Sequence, residues 1–207
     1  MVFPKIKIVE VINTPGFENY HYQCLTAFTA KRYKKRTQYL VEAVPKGLHK
    51  DMLFIDGDAI GMLEYAPVEA SVYPILGRKL WVLNCLWVLR RAAGHKYGLT
   101  LMNRMKHVVE DAEGIATIAL EGHYSPWFRL PHMEYLGFES IDSRRMRHKA
   151  KHHEVCFRIH LMWMPLCSEA ELPEMDWEKL LNGVDFCIAH PLYRAESLGL
   201  KEPFEPC

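Results

Sequence analysis

The chain has 207 residues, 49% of them hydrophobic, and a formal net charge of +1. This length suits one domain with an appendage, and the hydrophobic content excludes a disordered chain. The charge gives no indication of a polyanionic partner, and no apolar run reaches the ~18 residues that a membrane-spanning helix needs.

The cysteines and the N-terminal residues indicate a cellular compartment. None of the six cysteines forms a Cys-x-x-Cys pair, and the first residues, MVFPKIKIVEV, lack the apolar core of a signal peptide. The cysteines are Cys24, Cys85, Cys156, Cys167, Cys187 and Cys207. This pattern favours reduced, buried thiols, so we expect a cytoplasmic protein with no membrane segment.

The first part of the chain predicts a strand, a helix and a hairpin. Residues 6–11 alternate apolar and charged side chains, as in a half-exposed strand. Residues 18–44 predict a helix, and its basic run at 31–36 is expected to be a solvated face. The apolar segments 52–55 and 59–65 flank an Asp-Gly pair that is typical of a hairpin turn.

The centre of the chain predicts a strand, a loop, a helix and a second strand. Residues 81–88 are apolar, aromatic or β-branched, and the basic loop that follows contains Gly94 and Gly98. A helix over 99–112 and a strand over 115–120 complete a βαβ unit with parallel strands. A glycine loop that opens a helix can hold an anion, because the first helical N–H groups point outward.

The remaining elements predict an α/β fold with an antiparallel N-terminal half. A short helix over 127–136 is followed by strands at 138–141 and 154–163. We expect residues 1–164 to form the main domain and 165–207 an extension that packs on its core.

The order of these elements, together with three motifs, resembles the GNAT superfamily of acyl-CoA-dependent N-acyltransferases. The motifs are CLWV at 85–88, AGHKYG at 93–98 and HMEYLGFESID at 132–142. The combination of GMLEYAP at 61–67 with NCLWV at 84–88 also resembles a YoaP-type subgroup. The resemblance implies a mixed, mostly antiparallel twisted sheet with a central strand–loop–helix motif for CoA.

The resemblance further implies an acetyl-CoA-dependent N-acetyltransferase that transfers acetyl directly to the amine of a small molecule or peptide. Gly98 matches the family's pyrophosphate loop, whereas Ala93 replaces a basic or amide side chain and Lys96 replaces a glycine. The main chain of β-strand residues 86 and 88 is expected to pair with the pantetheine arm. The implied cofactor-binding residues are Leu86, Trp87, Val88, Ala93, Gly94, His95, Lys96, Tyr97, Gly98 and Leu99.

Acyl transfer to an amine needs a base, a donor for the oxyanion and an acid for the thiolate. Glu64, in an otherwise apolar strand, and Glu121, at a strand end, are the candidate bases, because a carboxylate among apolar neighbours has a raised pKa. Met133 occupies the position of the family's usual tyrosine acid, so Tyr124 and Tyr135 are the candidate acids. Solvated carboxylates and packed tyrosines are the alternative interpretation of all four residues.

Other functions follow from the same features. The alternative, motivated by the departures in the loop and the missing tyrosine, is a non-catalytic GNAT-like binding or sensor module. The basic segment 143–153 predicts a solvated hairpin or an attractive surface for an anion. Nucleic-acid binding is disfavoured, because no aromatic residues interleave its charges. No metal site is expected, and the oligomeric state, a homodimer included, stays open.

Overall fold

The described part of the protein is built on an eight-stranded sheet, beside a two-stranded sheet. The computed structural model describes residues 4–22, 34–150, 152, 154–194 and 202–207. The strands are β1 (Ile6–Glu10), β2 (His49–Ile55), β3 (Asp58–Pro67), β4 (Ile75–Leu76), β5 (Leu80–Val88), β6 (Gly114–Glu121), β7 (Glu139–His148), β8 (Phe157–Pro165), β9 (Glu174–Met175) and β10 (Phe204–Pro206). The helices are α1 (Lys34–Ala43), α2 (Tyr97–Val108), α3 (Leu130–Tyr135) and α4 (Trp177–Leu180).

The strands of the main sheet lie in the order β1-β2-β3-β5-β6-β8-β7-β10. Neighbouring strands are antiparallel except β5 and β6, which are parallel and joined by α2. The predicted hairpin is confirmed as β2–β3, where Asp56 and Gly57 both have positive φ in the turn. The α/β fold and its central βαβ unit are therefore confirmed.

Helices cover both faces of the sheet. Gly61 of β3 approaches Leu101 of α2, whereas Glu64, three residues further along the strand, contacts Arg36 of α1. Side chains alternate between the faces of a strand, so α1 and α2 lie on opposite sides. Leu101, with Met102 and Met105, is fully buried, which explains the helical spacing of apolar residues in this segment.

A β-bulge interrupts the pairing of β3 with β5. Glu64 lies opposite Cys85 and Tyr65 opposite Leu83, so Asn84 is the extra residue of β5. The Asn84 side chain points to the α1 face, where its Nδ2 donates to the Tyr39 hydroxyl at 2.8 Å. The bulge re-aims the second half of β5 just where that strand leaves its neighbour β6.

The predicted helix over 18–44 is only partly correct. Residues 18–20 form a single 3₁₀ turn, 34–43 form α1, and 23–33 lie outside the described residues, as do Lys31 and Arg32 of the basic run. Arg36 of that run is buried, so the prediction of a uniformly solvated face is wrong there. Its charge is buried because Glu64 compensates it.

The predicted basic hairpin at 143–153 is also corrected. Residues up to 148 continue the strand β7, and the chain turns only after that point; 151 and 153 lie outside the described residues. Arg147 pairs with Glu205 at 2.6 Å and Lys149 with Glu202 at 3.6 Å. Glutamates from the C-terminal segment therefore neutralise part of the positive charge, which reduces its attraction for an anion.

The described residues after 165 include several that pack on the core and a strand that extends the sheet. Trp177, Leu180 and Phe186 are buried in the main core, as their apolar character predicts. The strand β10 pairs with β7 at the sheet edge. The expectation that all cysteines are reduced is wrong, because Cys156 and Cys207 form a disulfide that holds this strand.

Candidate functional site

The loop between β5 and α2 presents backbone N–H groups at the start of a helix. Gly94 and Lys96 both have positive φ, and a Cβ atom on Gly94 would meet no atom within 4 Å. The helix begins at Tyr97, and the amide of Thr100 is the first to bond within it, to the carbonyl of Lys96 at 3.1 Å. The preceding helical amides have no intrahelical acceptor, so this end favours an anion.

The strands β5 and β6 separate beside this loop. Their parallel pairing covers only three residues of β5, from Leu80 to Val82. The next carbonyl, that of Leu83, accepts a hydrogen bond from the Thr117 hydroxyl at 2.7 Å. Beyond Leu83, no described strand pairs with the edge of β5 that faces β6, which leaves main-chain groups available to a ligand.

A groove of about 970 Å³ occupies this gap. One wall is the second half of β5, the loop and the start of α2; the other is the segment that leads into α3. The lining residues are Leu86, Trp87, Val88, Arg90, Ala92, Ala93, Gly94, Lys96, Tyr97, Gly98, Leu99, Pro126, Trp127, Phe128, Arg129, His132, Met133, Tyr135 and Leu136. Nine of the ten predicted cofactor-binding residues are in this set; His95 is not, and its ring stacks on Tyr97.

The charge of the groove has one sign. Arg90, Lys96 and Arg129 line it, and no Asp or Glu is present among the described residues that do so. Cationic side chains and outward-pointing amides both stabilise a bound anion. No carboxylate among the described lining residues repels that anion. Arg91, next to Arg90, points elsewhere and pairs with Asp58 at 3.3 Å.

A second, smaller cavity of about 80 Å³ adjoins the groove on the α1 face. It is lined by Cys85, Trp87, Ser125, Pro126, Trp127, Phe186, Cys187, Ala189 and His190. Trp87, Pro126 and Trp127 line both spaces, so the cavity and the groove are neighbours. The C-terminal segment supplies the outer wall of the cavity.

His190 closes the cavity as a neutral, fully hydrogen-bonded ring. Its Nδ1 accepts from the amide of Leu192 at 3.0 Å, and its Nε2 lies 3.0 Å from the Tyr73 hydroxyl, which donates to the Asn84 carbonyl at 2.8 Å. Burial lowers the pKa of His190 to about 3. The ring also packs edge-on against Trp127 at 4.3 Å. Both ring nitrogens are engaged in hydrogen bonds, so His190 shapes the cavity wall and is not placed to act as a base.

Trp87 has a donor that the protein leaves unused. Its indole Nε1 is buried and has no hydrogen-bond partner among the residues that the structure describes. A buried, unsatisfied N–H group costs about 1–3 kcal/mol, and such a cost in a native fold calls for an explanation. Trp87 lines both the groove and the small cavity, so a bound molecule can supply the missing acceptor.

The structure does not bring Glu64 to the groove. Both carboxylate oxygens of Glu64 accept hydrogen bonds from the Arg36 guanidinium, one of them at 2.9 Å. Although burial opposes it, the Arg36 charge holds the pKa of Glu64 below its usual value. The expectation of a raised pKa is therefore wrong for Glu64.

The other three catalytic candidates lie in three different places. Glu121 is exposed and contacts His160 at 3.3 Å and Arg158 at 3.5 Å, and Tyr124 stacks on His123 at 4.2 Å between ring centroids. Neither of them lines the groove, whereas Tyr135 does. Of the four candidates, Tyr135 is therefore the one that lines the groove.

A histidine pair lies outside this site. His123 and His148 approach at 3.0 Å between their Nε2 atoms, and burial lowers the pKa of His123 to about 4. His123 accepts the amide N–H of Ser125 at Nδ1, so its Nε2–H donates to His148.

The described residues contain no group of three or more potential ligands placed to hold a metal ion. Among all the residues that the structure describes, no helix is both long enough and apolar enough to cross a membrane.

Apart from Tyr135, sequence reasoning missed the second wall of the groove. Trp127, Phe128, Arg129 and His132 were expected only as parts of a short helix over 127–136, which begins later, at Leu130, and Pro126 was not singled out. Leu120 donates its amide to the carbonyl of Phe128 at 2.7 Å, which turns this segment back across the end of β6. That long-range contact has no local signal in the sequence.

Several solved structures share this fold. Aminoglycoside 6′-N-acetyltransferase complexed with coenzyme A aligns with a TM-score of 0.56 at 12% identity, over 80% of this chain and 99% of that chain. The ribosomal-protein-S18-alanine N-acetyltransferase of Escherichia coli aligns with a TM-score of 0.54 at 14% identity, over 81% and 99%. A GNAT family acetyltransferase of Elizabethkingia anophelis with acetyl-CoA bound aligns with a TM-score of 0.52 at 13% identity, over 77% and 97%.

Sequence comparisons add no further relative. No family model matches the chain, and no curated protein sequence matches it significantly. At this level of identity the structural likeness establishes the fold alone. The protein has the GNAT acetyltransferase fold, as the sequence predicted, and the YoaP-type subgroup stays a prediction.

Proposed function

We propose that this protein is an acetyl-CoA-dependent N-acetyltransferase that passes the acetyl group directly to the amine of a small molecule. The observation that carries the proposal is the groove, in which the open amides of α2, three cationic side chains and the unpaired edge of β5 meet. Fold alone does not establish an activity, so the proposal depends on this site.

Two features of the groove support its assignment to acetyl-CoA. Its diphosphate needs N–H donors and positive charge, which the start of α2 with Arg90, Lys96 and Arg129 supplies. Its amide-containing arm can pair with an open strand edge, and β5 provides one beyond Leu83. The bound states of two neighbours, one with coenzyme A and one with acetyl-CoA, support the same assignment.

The reaction needs three events at the thioester. The amine nitrogen attacks the carbonyl carbon, so that a C–N bond forms and the C–S bond then breaks; the nitrogen loses a proton and the departing thiolate gains one. The Trp87 indole N–H is our candidate donor to the carbonyl oxygen, because it is buried and unpartnered beside the groove. Tyr135 is our candidate acid for the thiolate.

A second candidate function is a non-catalytic module that binds acetyl-CoA. It is favoured by the absence of Asp and Glu from the described lining of the groove, since a general base is commonly a carboxylate. Both functions require the same co-substrate, so they differ only in turnover.

Calorimetry with acetyl-CoA tests the proposal directly. We expect saturable binding in the micromolar range, and no binding at millimolar ligand would overturn both candidate functions. Thiol release measured with a panel of amines then separates them. Steady release that depends on the amine would exclude the non-catalytic module, and binding without release from any amine would exclude the enzyme.

A further inference from the structure

The groove and the small cavity meet at Trp87. Trp87, Pro126 and Trp127 line both spaces, and the Trp87 indole Nε1 is buried without a hydrogen-bond partner among the described residues. With coenzyme A in the groove, a thioester carbonyl that accepts a hydrogen bond from this indole brings the rest of its acyl chain to the cavity. This inference rests on the proposed function, because it concerns the acyl group of the same donor.

The walls of the cavity suit an apolar, uncharged group. Its lining has aromatic rings, two thiols and small side chains, and no Asp, Glu, Lys or Arg among the described residues. His190 is held as a neutral ring, since its Nδ1 accepts from the Leu192 amide and its Nε2 lies beside the Tyr73 hydroxyl. A charged group in the cavity would therefore lack a counter-ion, and an unpaired buried charge is unfavourable. An alkyl chain needs no such partner.

The volume of the cavity limits the number of carbon atoms that it can hold. An engineered apolar cavity of roughly 150 Å³ binds benzene, which is roughly 25 Å³ for each ring carbon. On this scale the cavity, at about 80 Å³, holds about three carbon atoms. An acceptor amine built on a ring or a peptide is too large to enter, so the acyl chain is the part of the reacting complex that fits.

An acetyl group leaves most of this space empty. It has a single methyl group beyond its carbonyl, whereas a propionyl group has two carbon atoms there and a butyryl group has three. Each methylene group that moves from water into an apolar cavity tightens binding about fourfold, until the cavity is full. Affinity should therefore increase from acetyl to butyryl and then decrease, because a hexanoyl group has two carbon atoms more than the space accommodates.

We propose that the acyl-donor site accepts straight acyl chains from acetyl to butyryl and binds butyryl-CoA most tightly, with the chain in the small cavity and the thioester carbonyl at Trp87. The amine nitrogen attacks the carbonyl carbon, the C–N bond forms and the C–S bond breaks. The nitrogen releases one proton, and the departing thiolate takes up one to give CoA-SH. The other product is an amide that carries the short acyl chain, so the protein is a short-chain N-acyltransferase as well as an N-acetyltransferase.

Calorimetry with the full-length protein compares the chains. The ligands are CoA and its acetyl, propionyl, butyryl, hexanoyl and malonyl thioesters, of which malonyl-CoA carries a charged chain close in size to butyryl. We expect the Kd to fall about fourfold with each carbon atom added from acetyl to butyryl, about fifteenfold in all. The Kd for hexanoyl-CoA and that for malonyl-CoA should each be at least about tenfold higher than that for butyryl-CoA, because the first chain is too long and the second has an unpaired charge.

Substitutions in the cavity wall test the location. Ala189→Val adds two carbon atoms to the wall and leaves space for about one carbon of the chain, so the preference for butyryl-CoA over acetyl-CoA should disappear. Phe186→Leu removes part of an aromatic wall and should lower the Kd for hexanoyl-CoA at least about threefold. Ala170→Val is the control and should leave the order of affinities unchanged, because Ala170 belongs to the same C-terminal segment, packs on the core and does not line the cavity.

The possible outcomes separate this inference from the proposed function. The acyl-chain assignment would be overturned, while acetyl-CoA still binds, by equal Kd values for acetyl-CoA and butyryl-CoA, by tighter binding of hexanoyl-CoA than of butyryl-CoA, or by unchanged preferences in the folded wall variants. If no thioester binds at millimolar concentration, the proposed function fails, and the acyl-chain assignment with it. Thermal melting identifies the folded variants, and either wall variant is sufficient if the other does not fold.

Discussion

Arg36 and Glu64 form a buried, two-point ion pair that joins α1 to the centre of the sheet. The Arg36 Nη1 donates to one carboxylate oxygen of Glu64 at 2.9 Å, and its Nη2 donates to the other and to the carbonyl of His21. Both residues are almost fully buried. The guanidinium also lies over the ring of Phe186 at 5.9 Å, so the pair connects the main fold with the C-terminal segment.

Removal of one partner should therefore destabilise the protein. We expect Glu64→Leu to lower the free energy of unfolding by about 3–5 kcal/mol, because Arg36 becomes an uncompensated buried charge. Urea denaturation measures the change. The double variant Arg36→Met with Glu64→Leu should recover most of the loss, and Glu42→Gln on the exposed face of α1 serves as the control.

The pH dependence of this stability has a defined sign. The folded state lowers the pKa of Glu64, so its contribution is complete above the ordinary value of 4.5 and is lost as the pH falls below it. The difference between wild type and Glu64→Leu should shrink in that acidic range. If a Glu64 variant kept its stability but lost turnover, this view would be contradicted. Glu64 would then again be a candidate catalytic base.

Adjacent arginines allow a matched test of the groove. Arg90 lines the groove, whereas Arg91 pairs with Asp58 outside it. We expect Arg90→Gln to raise the acetyl-CoA Kd about two- to fivefold at low salt, and Arg91→Gln to leave it unchanged, because of these two residues only Arg90 lines the groove that we propose for the phosphates. Calorimetry at two salt concentrations provides the measurement, and the effect should decrease at the higher one. Equal effects of the two substitutions would indicate that affinity depends on the overall positive charge and not on a phosphate site at Arg90.

Substitution of Gly98 should change acetyl-CoA affinity and protein stability in opposite directions. A Cβ atom there would lie 3.7 Å from a Leu136 methyl group, an ordinary contact, so Gly98→Ala fits the fold while it narrows the groove. Alanine is the better helix former by about 1 kcal/mol, so the melting temperature should rise while the acetyl-CoA Kd increases severalfold. Gly98→Leu should weaken binding more than tenfold. The control is Thr100→Leu, an exposed position on the same helix that does not line the groove. An unchanged affinity in Gly98→Leu would rule out the loop assignment.

Trp87→Phe tests the unused indole donor. The substitution keeps an aromatic ring and removes the N–H group, so we expect kcat to fall by about tenfold to a hundredfold with little change in the acetyl-CoA Kd. Stability should be unchanged or higher, since the variant no longer buries an unsatisfied donor. Steady-state kinetics and thermal melting distinguish the two effects. Full kcat in a folded variant would show that Trp87 does not act on the carbonyl oxygen.

The Cys156–Cys207 disulfide should stabilise the fold by about 2–4 kcal/mol, since it closes a long loop in the unfolded chain. Denaturation with and without a thiol reductant measures the difference, and Cys207→Ala should remove the response to reductant. Cys167→Ala is the control, because Cys167 is exposed and in no disulfide. A melting curve that is insensitive to reductant in the wild type would contradict the prediction.

The sequence predicted the parts of the fold whose signals are local. The Asp56-Gly57 turn and the apolar strand β5 are specified within a few residues, and nine of the ten cofactor-binding residues implied by the GNAT resemblance line the groove. The misses depend on contacts between distant segments. The buried state of Arg36 requires Glu64, 28 residues away, and the disulfide spans 51 residues. Neither partner could be identified from the spacing of residue types.

The early separation of β5 from β6 limits what the sequence must specify at this cleft. A ligand arm that pairs with a strand edge forms hydrogen bonds to main-chain N–H and C=O groups. Such pairing does not require particular side chains at Leu86 and Val88, as long as the strand is kept. A cleft of this kind depends on the path of the main chain and makes few demands on residue type. Proteins that are only 12–14% identical to this chain can accordingly share its fold.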